Sequence, residues 1–122
     1  MNQKIINEFI SAWNAMDIEA IMLFFSDDAV YTNIPMGPPN RGKQEIRDFI
    51  KGFIATATQI NFIIHNQVEG PNGIIMNERS DTFILNGQSV NLPVMGVFEI
   101  KEGKIKAWRD YFDMKLLQGL GF

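Results

Sequence analysis

The spacing of apolar residues changes near the middle of the chain. Over residues 2–15 they recur every three or four positions, which is typical of an amphipathic helix. A second helix is predicted after Asp17, which can cap it, and residues 26–28 are predicted to end it. A third helix is predicted from Gly42 to about Thr56. The N-terminal half is therefore predicted to be mainly helical.

Beyond residue 58 the pattern becomes that of strands separated by tight turns. The turn dipeptides, each typical of a hairpin, are Asn72-Gly73, Asn86-Gly87 and Glu102-Gly103. The long strands are predicted over residues 59–69, 74–85, 88–101 and 104–113. An earlier strand over residues 29–33 is followed by a predicted loop over residues 36–41, and residues 114–122 are predicted to form a short helix or an ordered flap.

The order of these elements predicts an α+β fold in a single domain, residues 1–122. We expect a curved, antiparallel, mixed sheet wrapped by the three N-terminal helices, forming a cone with an internal apolar pocket. Ten Phe and seven Met are more than generic packing requires, which favours such a pocket, although stripes of these residues more often form plain core.

Polar residues interrupt the apolar faces of two predicted strands. Because strand side chains alternate, Asp81 shares a face with Arg79 and Phe83, while Asp110 shares one with Trp108. A buried carboxylate is costly unless it is paired and hydrogen-bonded. Two such acids with one arginine nearby therefore indicate chemistry rather than packing.

An arginine can bind two carboxylates at once, because its guanidinium carries five donors in a planar fork. Burial and mutual repulsion would keep one proton on the pair of Asp81 and Asp110, leaving one acid and one base. Tyr31 and Asn33 share a face of the early strand and could hold a water together with a carboxylate. The alternative is a structural ion pair between Arg79 and one aspartate, with Tyr31 as a core residue. All five residues on apolar-lined strands favour the chemical interpretation.

Composition narrows that chemistry further. The chain has no cysteine and one histidine, His65, which is predicted to be exposed, so thiolate, zinc and histidine-based sites lack their residues. Arg109, Asp113, Asp27 and Asp28 are also predicted to be exposed. A net charge of -3 with scattered basic residues argues against nucleic acid or a membrane as a partner. We expect a soluble, cytoplasmic protein without a metal site.

At these residues the sequence resembles the limonene-1,2-epoxide hydrolase family, within the cone-shaped superfamily of ketosteroid isomerases, nuclear transport factors and polyketide cyclases. The resemblance runs nearly end to end and is strongest in Ala29-Val30-Tyr31-Thr32-Asn33-Ile34-Pro35-Met36, Asn77-Glu78-Arg79-Ser80-Asp81, Met95-Gly96-Val97-Phe98-Glu99, Gly103-Lys104-Ile105 and Trp108-Arg109-Asp110-Tyr111-Phe112-Asp113. The family's catalytic set is a Tyr and an Asn two apart, an Arg and an Asp two apart, and the Asp after Trp-Arg.

The resemblance implies a role for each member of that set. Asp110 would be the general base that takes a proton from water, and Tyr31 and Asn33 would hold that water. Asp81 would be the general acid that protonates the epoxide oxygen, while Arg79 bridges the two acids. The product would be a vicinal diol formed in one step, and no cofactor would be needed.

The resemblance also implies partners and a pocket. The substrate would be a small apolar epoxide with water, and family members commonly form homodimers through the outer face of the sheet. The sequence begins close to the first helix, so we expect a more open pocket than in the best-known member, where an N-terminal extension helps to cover it. The residues expected to line the pocket are Met36, Leu85, Leu92, Met95, Phe98 and Trp108.

Two other functions fit the same predicted fold. One is an isomerase or cyclase in which an aspartate moves a proton next to a carbonyl, with Tyr31 or a protonated Asp81 as the oxyanion donor. The other is a non-catalytic domain that binds a small ligand. The bridging arginine favours proton exchange between two acids, and therefore the hydrolase.

Overall fold

The computed structural model describes residues 2–120, which form three α-helices and a six-stranded sheet. The helices are α1 (Asn2–Asn14), α2 (Ile18–Met22) and α3 (Gly42–Thr56). The strands are β1 (Phe25–Asn33), β2 (Asn40–Arg41), β3 (Ala57–Glu69), β4 (Ile74–Leu85), β5 (Gln88–Lys101) and β6 (Lys104–Tyr111). The predicted α+β class with three helices is confirmed.

The sheet is mixed and open. Its order is β2-β1-β6-β5-β4-β3, so β2 and β3 form the two edges. Strands β3 to β6 form the predicted antiparallel meander, whereas β1 runs parallel to β6. That parallel pair aligns Tyr31 with Trp108 and Asn33 with Asp110, which brings two distant segments of the chain to one place.

Two of the three predicted hairpin turns, Asn86-Gly87 and Glu102-Gly103, join their strands directly, whereas Asn72-Gly73 lies in a 3-10 turn, Pro71–Gly73, between β3 and β4. Asn86 and Gly87 have φ of 52° and 79°, and Glu102 and Gly103 have φ of 54° and 78°. A two-residue hairpin turn of type I′ needs positive φ at both central positions. These dipeptides therefore set the register of β4, β5 and β6.

The core lies between α1, α3 and the inner face of the sheet. Helix α1 buries Phe9, whose ring contacts the rings of Phe25, Phe98 and Trp108 at centroid distances of 5.4, 6.1 and 5.1 Å. The edge-to-face geometry of these contacts is the one that aromatic rings prefer. This cluster packs α1 against β1, β5 and β6.

Several predicted boundaries are wrong. Residues 26–28 do not end α2; they belong to β1, which begins at Phe25, because Phe25 pairs with Ile105 at the far end of a bulged stretch. Residues 36–41 are not all loop, since Ile34–Met36 form a 3-10 turn and Asn40–Arg41 pair with β1.

The end of the chain agrees in part with the predictions. The last strand ends at Tyr111 rather than at residue 113. A 3-10 turn forms at Met114–Leu117, as expected for a short helix, and it buries Leu117. The predicted flap also included Phe122, which lies outside the described residues.

Candidate active site

Three polar side chains follow one another along the inner face of β4. Asn77, Arg79 and Asp81 are buried, whereas Met76 and Glu78 between and beside them are exposed. This alternation is the two-residue period of a strand that packs one face on a core. Strand β4 thus places a row of polar side chains in an otherwise apolar interior.

The guanidinium of Arg79 is the centre of this row. Its Nε and Nη2 atoms donate to the two carboxylate oxygens of Asp81, each at 2.9 Å. Nη2 also donates to Oδ2 of Asp110 at 2.8 Å, and Nη1 donates to Oδ1 of Asn77 at 2.8 Å. One buried cation therefore holds two carboxylates that come from β4 and β6.

The cluster crosses β5 at Gly96. The sheet register places Gly96 opposite both Asn77 and Asp110. A Cβ atom at this position would lie 2.4 Å from Nη1 of Arg79 and 2.8 Å from Oδ1 of Asp110. The arginine can reach across β5 to Asp110 because residue 96 has no side chain.

Asn77 connects the cluster to the first helix. Its Nδ2 atom donates to Oε1 of Gln67 at 3.1 Å, and Nε2 of Gln67 donates to Oδ1 of Asn7 at 3.1 Å. Each of the three side chains lies on a different element, so the chain of hydrogen bonds joins β4, β3 and α1. It positions the guanidinium from the side opposite the two acids.

Asp110 has a second buried partner. Nε1 of Trp108 donates to Oδ1 of Asp110 at 2.7 Å. The Tyr31 ring stacks on Trp108 with centroids 4.2 Å apart and planes 7° from parallel, and the Tyr31 hydroxyl donates to Oδ1 of Asn33 at 3.4 Å. The parallel pairing of β1 with β6 therefore places the hydroxyl and amide beside the base proposed from sequence.

Burial and the neighbouring charges together set the ionisation of Asp110, Tyr31 and Arg79. Burial raises the pKa of Asp110 to about 6; the Arg79 guanidinium opposes this shift, and the charge of Asp81 adds to it. Burial also raises the pKa of Tyr31 far above its usual value, with the charge of Asp110 adding to the shift. For Arg79 burial acts to lower the pKa, but the charges of Asp110 and Asp81 outweigh it and raise the pKa. Arg79 is therefore a permanent cation.

A cavity of about 60 Å³ lies against these residues. Its polar wall consists of Tyr31, Asn33, Asp81 and Asp110. Its apolar wall consists of Trp13, Met36, Phe49, Phe53, Phe62, Phe83, Leu92, Val94, Trp108, Phe112 and Leu117. Four members of the predicted catalytic set thus face one cavity, while Arg79 contacts both acids without lining it.

Half of the residues predicted to line the pocket do so in the structure. Met36, Leu92 and Trp108 line the cavity, whereas Leu85 and Phe98 are buried in the core away from it. Met95 is on the outer face of the sheet with 47% of its surface exposed. Its assignment ignored strand alternation, because Leu92 and Phe98 occupy even positions of β5 and Met95 an odd one.

The sequence-based interpretation missed Asn77, Gly96 and Trp13. Asn77 had a usable signal, since it precedes Arg79 by two residues and therefore shares its face. Gly96 became informative only when the register placed it between Asn77 and Asp110. Trp13 belongs to the apolar stripe of α1, and nothing in the sequence distinguishes a cavity-lining residue there from an ordinary core residue.

The residues predicted to be exposed lie outside this site. His65 is exposed and its Nε2 is 2.7 Å from the Ser80 hydroxyl. Arg109 donates to Glu99 at 2.6 Å, and Asp113 caps the last 3-10 turn by accepting from the Lys115 amide. Within residues 2–120 no group of three or more metal-binding side chains is present, and no helix there is long and apolar enough to span a membrane.

Known epoxide hydrolases are similar to this chain in sequence and in fold. Epoxide hydrolase EphG of Mycobacterium tuberculosis is 27% identical over 122 residues, covering 94% of this chain and 78% of EphG. A solved M. tuberculosis LEH-like epoxide hydrolase superposes with a TM-score of 0.82 at 27% identity, over 96% of this chain and 86% of that one.

More distant structures share the fold alone. A putative SnoaL-like polyketide cyclase from Shewanella putrefaciens CN-32 gives a TM-score of 0.86 at 13% identity, covering 98% of this chain and 94% of that one.

The sequence model of the limonene-1,2-epoxide hydrolase catalytic domain matches residues 1–120 of this chain. Because this match spans nearly the whole chain, the protein belongs to the limonene-1,2-epoxide hydrolase family.

Proposed function

We propose that this protein hydrolyses a small, neutral, largely apolar epoxide to a vicinal diol in one general acid and general base step, without a cofactor. The observation that carries the proposal is the Arg79 fork, which holds Asp81 and Asp110 together at the wall of one cavity. Two carboxyl groups that share one cation can carry one proton and one free base.

The charge of the cluster supports one shared proton. With both acids ionised, the buried cluster would carry a net charge of −1; with one proton it is neutral, which costs less in an apolar interior. Burial raises the pKa of Asp110 to about 6, so this carboxyl can accept a proton near neutral pH and serve as the general base. The resemblance to the family assigns the role of general acid to Asp81.

The step then balances as follows. Asp110 takes a proton from a water held by Tyr31 and Asn33, and the water oxygen bonds to one ring carbon. The bond from that carbon to the epoxide oxygen breaks, and Asp81 protonates the leaving oxygen. Ring strain makes the carbon electrophilic, and each proton transfer contributes about 10²–10⁴-fold to the rate. Exchange through pocket water returns the proton from Asp110 to Asp81.

The test is turnover of limonene, cyclohexene and styrene oxides in ¹⁸O-labelled water. We expect labelled diol in a single turnover, because water rather than a carboxylate oxygen attacks the ring. Asp110→Asn and Asp81→Asn should each lower kcat by about 10²-fold or more. Asp28→Asn, an exposed aspartate outside the cavity, is the matched control and should retain activity.

Three results would contradict the proposal. No diol from any member of the epoxide panel would remove the assigned reaction. Unlabelled diol in the first turnover would show a covalent carboxylate intermediate instead. Normal activity in either cavity aspartate variant would remove the role given to that residue.

A further inference from the structure

One hydrogen-bond donor in the cavity wall has no acceptor. Trp13 lines the cavity and is 2% exposed, and its indole Nε1 has no hydrogen-bond partner among residues 2–120. Buried donors are almost always satisfied in native proteins, because leaving water without a new partner is costly. The unpaired indole N–H therefore needs an explanation.

The neighbours of Trp13 explain why the donor is unpaired. Its ring packs against four other aromatic rings, Phe62, Trp108, Phe53 and Phe9, at centroid distances of 5.4, 5.8, 6.2 and 6.5 Å. None of these rings offers an oxygen or nitrogen acceptor at its face. Trp13 is therefore packed among aromatic rings and borders the cavity.

The second tryptophan of the chain shows the contrast. Trp108 lines the same cavity, but its Nε1 donates to Asp110 at 2.7 Å. Of two indoles in one cavity, one is satisfied by the catalytic cluster and the other is left free. A molecule in the cavity can supply the acceptor that Trp13 lacks.

Trp13 and the Arg79 cluster share two aromatic neighbours. The rings of Phe62 and Trp108 both contact Trp13, and each has its centroid 5.9 Å from the guanidinium carbon of Arg79. Trp13 thus contacts the two rings that flank the guanidinium, but within residues 2–120 it makes no hydrogen bond to the cluster. An acceptor that reaches it belongs to a part of the substrate beyond the epoxide ring.

We propose that Trp13 donates a hydrogen bond to an acceptor oxygen of the substrate, so that the substrate class is a small epoxide that also carries a neutral carbonyl, ether or hydroxyl oxygen. This inference rests on the proposed function. The indole N–H only donates, so the ligand atom must accept. The acceptor is neutral because an anionic ligand would share the cavity with Asp81 and Asp110.

The first experiment compares epoxides that differ in one group. In the 3- and 4-substituted cyclohexene oxides, an acetyl group replaces an isopropenyl group of nearly the same shape, so that oxygen replaces a terminal methylene. We expect kcat/KM of at least one acetyl compound to exceed that of its isopropenyl partner by about tenfold, the effect of one buried hydrogen bond. A ratio near one for both positions would overturn the inference.

The variants test whether Trp13 causes that ratio. Trp13→Phe keeps an aromatic ring but removes the donor, so the acetyl-to-isopropenyl ratio should fall to about one. Phe83→Leu changes another residue of the same cavity wall without removing a donor and should retain the ratio. Because each value is a ratio within one variant, a general loss of activity or stability does not alter the comparison. An unchanged ratio in Trp13→Phe would overturn the inference.

A second measurement is independent of hydrolysis. In an ¹H–¹⁵N spectrum of the wild-type protein, the Trp13 indole resonance is assigned by its loss in Trp13→Phe. Acetylcyclohexane should move the indole proton downfield, and isopropenylcyclohexane should not. If neither ligand or both ligands move it downfield, the shift does not depend on the acetyl oxygen and the inference is wrong. No movement with either ligand is expected when a neighbouring ring face accepts the N–H.

The two measurements separate the two possible failures. If no epoxide is hydrolysed but acetylcyclohexane alone shifts the indole proton, the proposed function fails and the Trp13 binding site remains. If epoxides are hydrolysed without preference for the acetyl group and the resonance does not move, the hydrolase assignment remains and the Trp13 inference fails.

Discussion

Two arginines in this protein each donate two hydrogen bonds to one carboxylate, Arg79 in the interior and Arg47 at the surface. Arg79 bonds Asp81 through two nitrogens at 2.9 Å, with 0% and 7% of the side chains exposed. Arg47 bonds Glu19 through two nitrogens at 2.6 and 3.2 Å, with 36% and 78% exposed. The bond geometry is similar, and the difference is the access of water.

That difference decides what each pair can do. Water screens the Arg47–Glu19 pair, so the pair joins α3 to α2 with little net gain. At Arg79 neither charge can be solvated, so each partner depends on the others, and a third group, Asp110, is drawn into the same cluster. The burial that makes the cluster expensive also raises the pKa of Asp110 towards neutrality, which a general base requires.

Removing the buried cation should give the largest effect. Arg79→Leu leaves Asp81 and Asp110 buried without their partner, and we expect a loss of about 3–5 kcal/mol in the free energy of unfolding. Urea denaturation followed by circular dichroism measures it. A loss below about 1 kcal/mol would mean that water enters the cluster and that the burial argument is wrong.

The next largest effect concerns pH. Because the folded state holds the pKa of Asp110 at about 6, above the usual value of an aspartate, kcat/KM should fall about tenfold per pH unit below pH 6 as the carboxylate is protonated. Stability should move in the opposite direction, since the folded state binds the proton more tightly than the unfolded chain. That contribution is fully present below pH 4 and is lost as the pH rises through 6.

Two measurements check this prediction. A pH profile of kcat/KM on a panel epoxide gives the first slope, and urea denaturation between pH 4 and pH 7 gives the second. Asp110→Asn should remove the part of the stability change that belongs to this group. Constant activity from pH 7 to pH 5 would contradict the raised pKa.

A side chain at Gly96, where Arg79 crosses β5, should have a smaller effect on stability. Gly96→Ala places a Cβ atom 2.4 Å from Nη1 of Arg79, so the guanidinium must move, and we expect a loss of about 1–3 kcal/mol in unfolding free energy together with lower kcat. The matched control is Gly52→Ala on α3, where a Cβ meets no atom within 4 Å.

The control should change stability in the other direction. Alanine is favoured over glycine inside a helix by about 0.5–1 kcal/mol, so Gly52→Ala should be neutral or stabilising. Thermal unfolding of both variants measures the difference between them. Equal stability of the two variants would show that the cluster has room at Gly96.

The smallest effect is expected at the exposed pair. Arg47→Leu removes two hydrogen bonds to Glu19, as many as Arg79→Leu removes at Asp81, but Glu19 remains solvated. The midpoint of urea denaturation should therefore shift far less than in Arg79→Leu, and raising the salt concentration should reduce even that shift. Comparable shifts in the two variants would remove the distinction between the pairs.

Local features of the fold follow from the sequence because their causes are local. Asn86-Gly87 and Glu102-Gly103 adopt the positive φ that hairpins need, and alternation along β4 places Arg79 and Asp81 on one buried face. The start of β1 is predicted wrongly because its cause is not local. Phe25 fits an apolar helical stripe and an apolar strand equally well, and only pairing with Ile105 decides between them.

The sequence alone determined the class of the fold, the shared buried face of Arg79 and Asp81 and, through its resemblance to a family, the five residues of the proposed catalytic set. Only the tertiary structure decided how they meet, since Arg79 and Asp110 are 31 positions apart and touch because glycine occupies position 96 between them. The free indole N–H of Trp13 is also a tertiary property. Whether a donor finds an acceptor depends on the side chains that surround it in the folded protein, and the spacing of residues along the chain does not predict those neighbours.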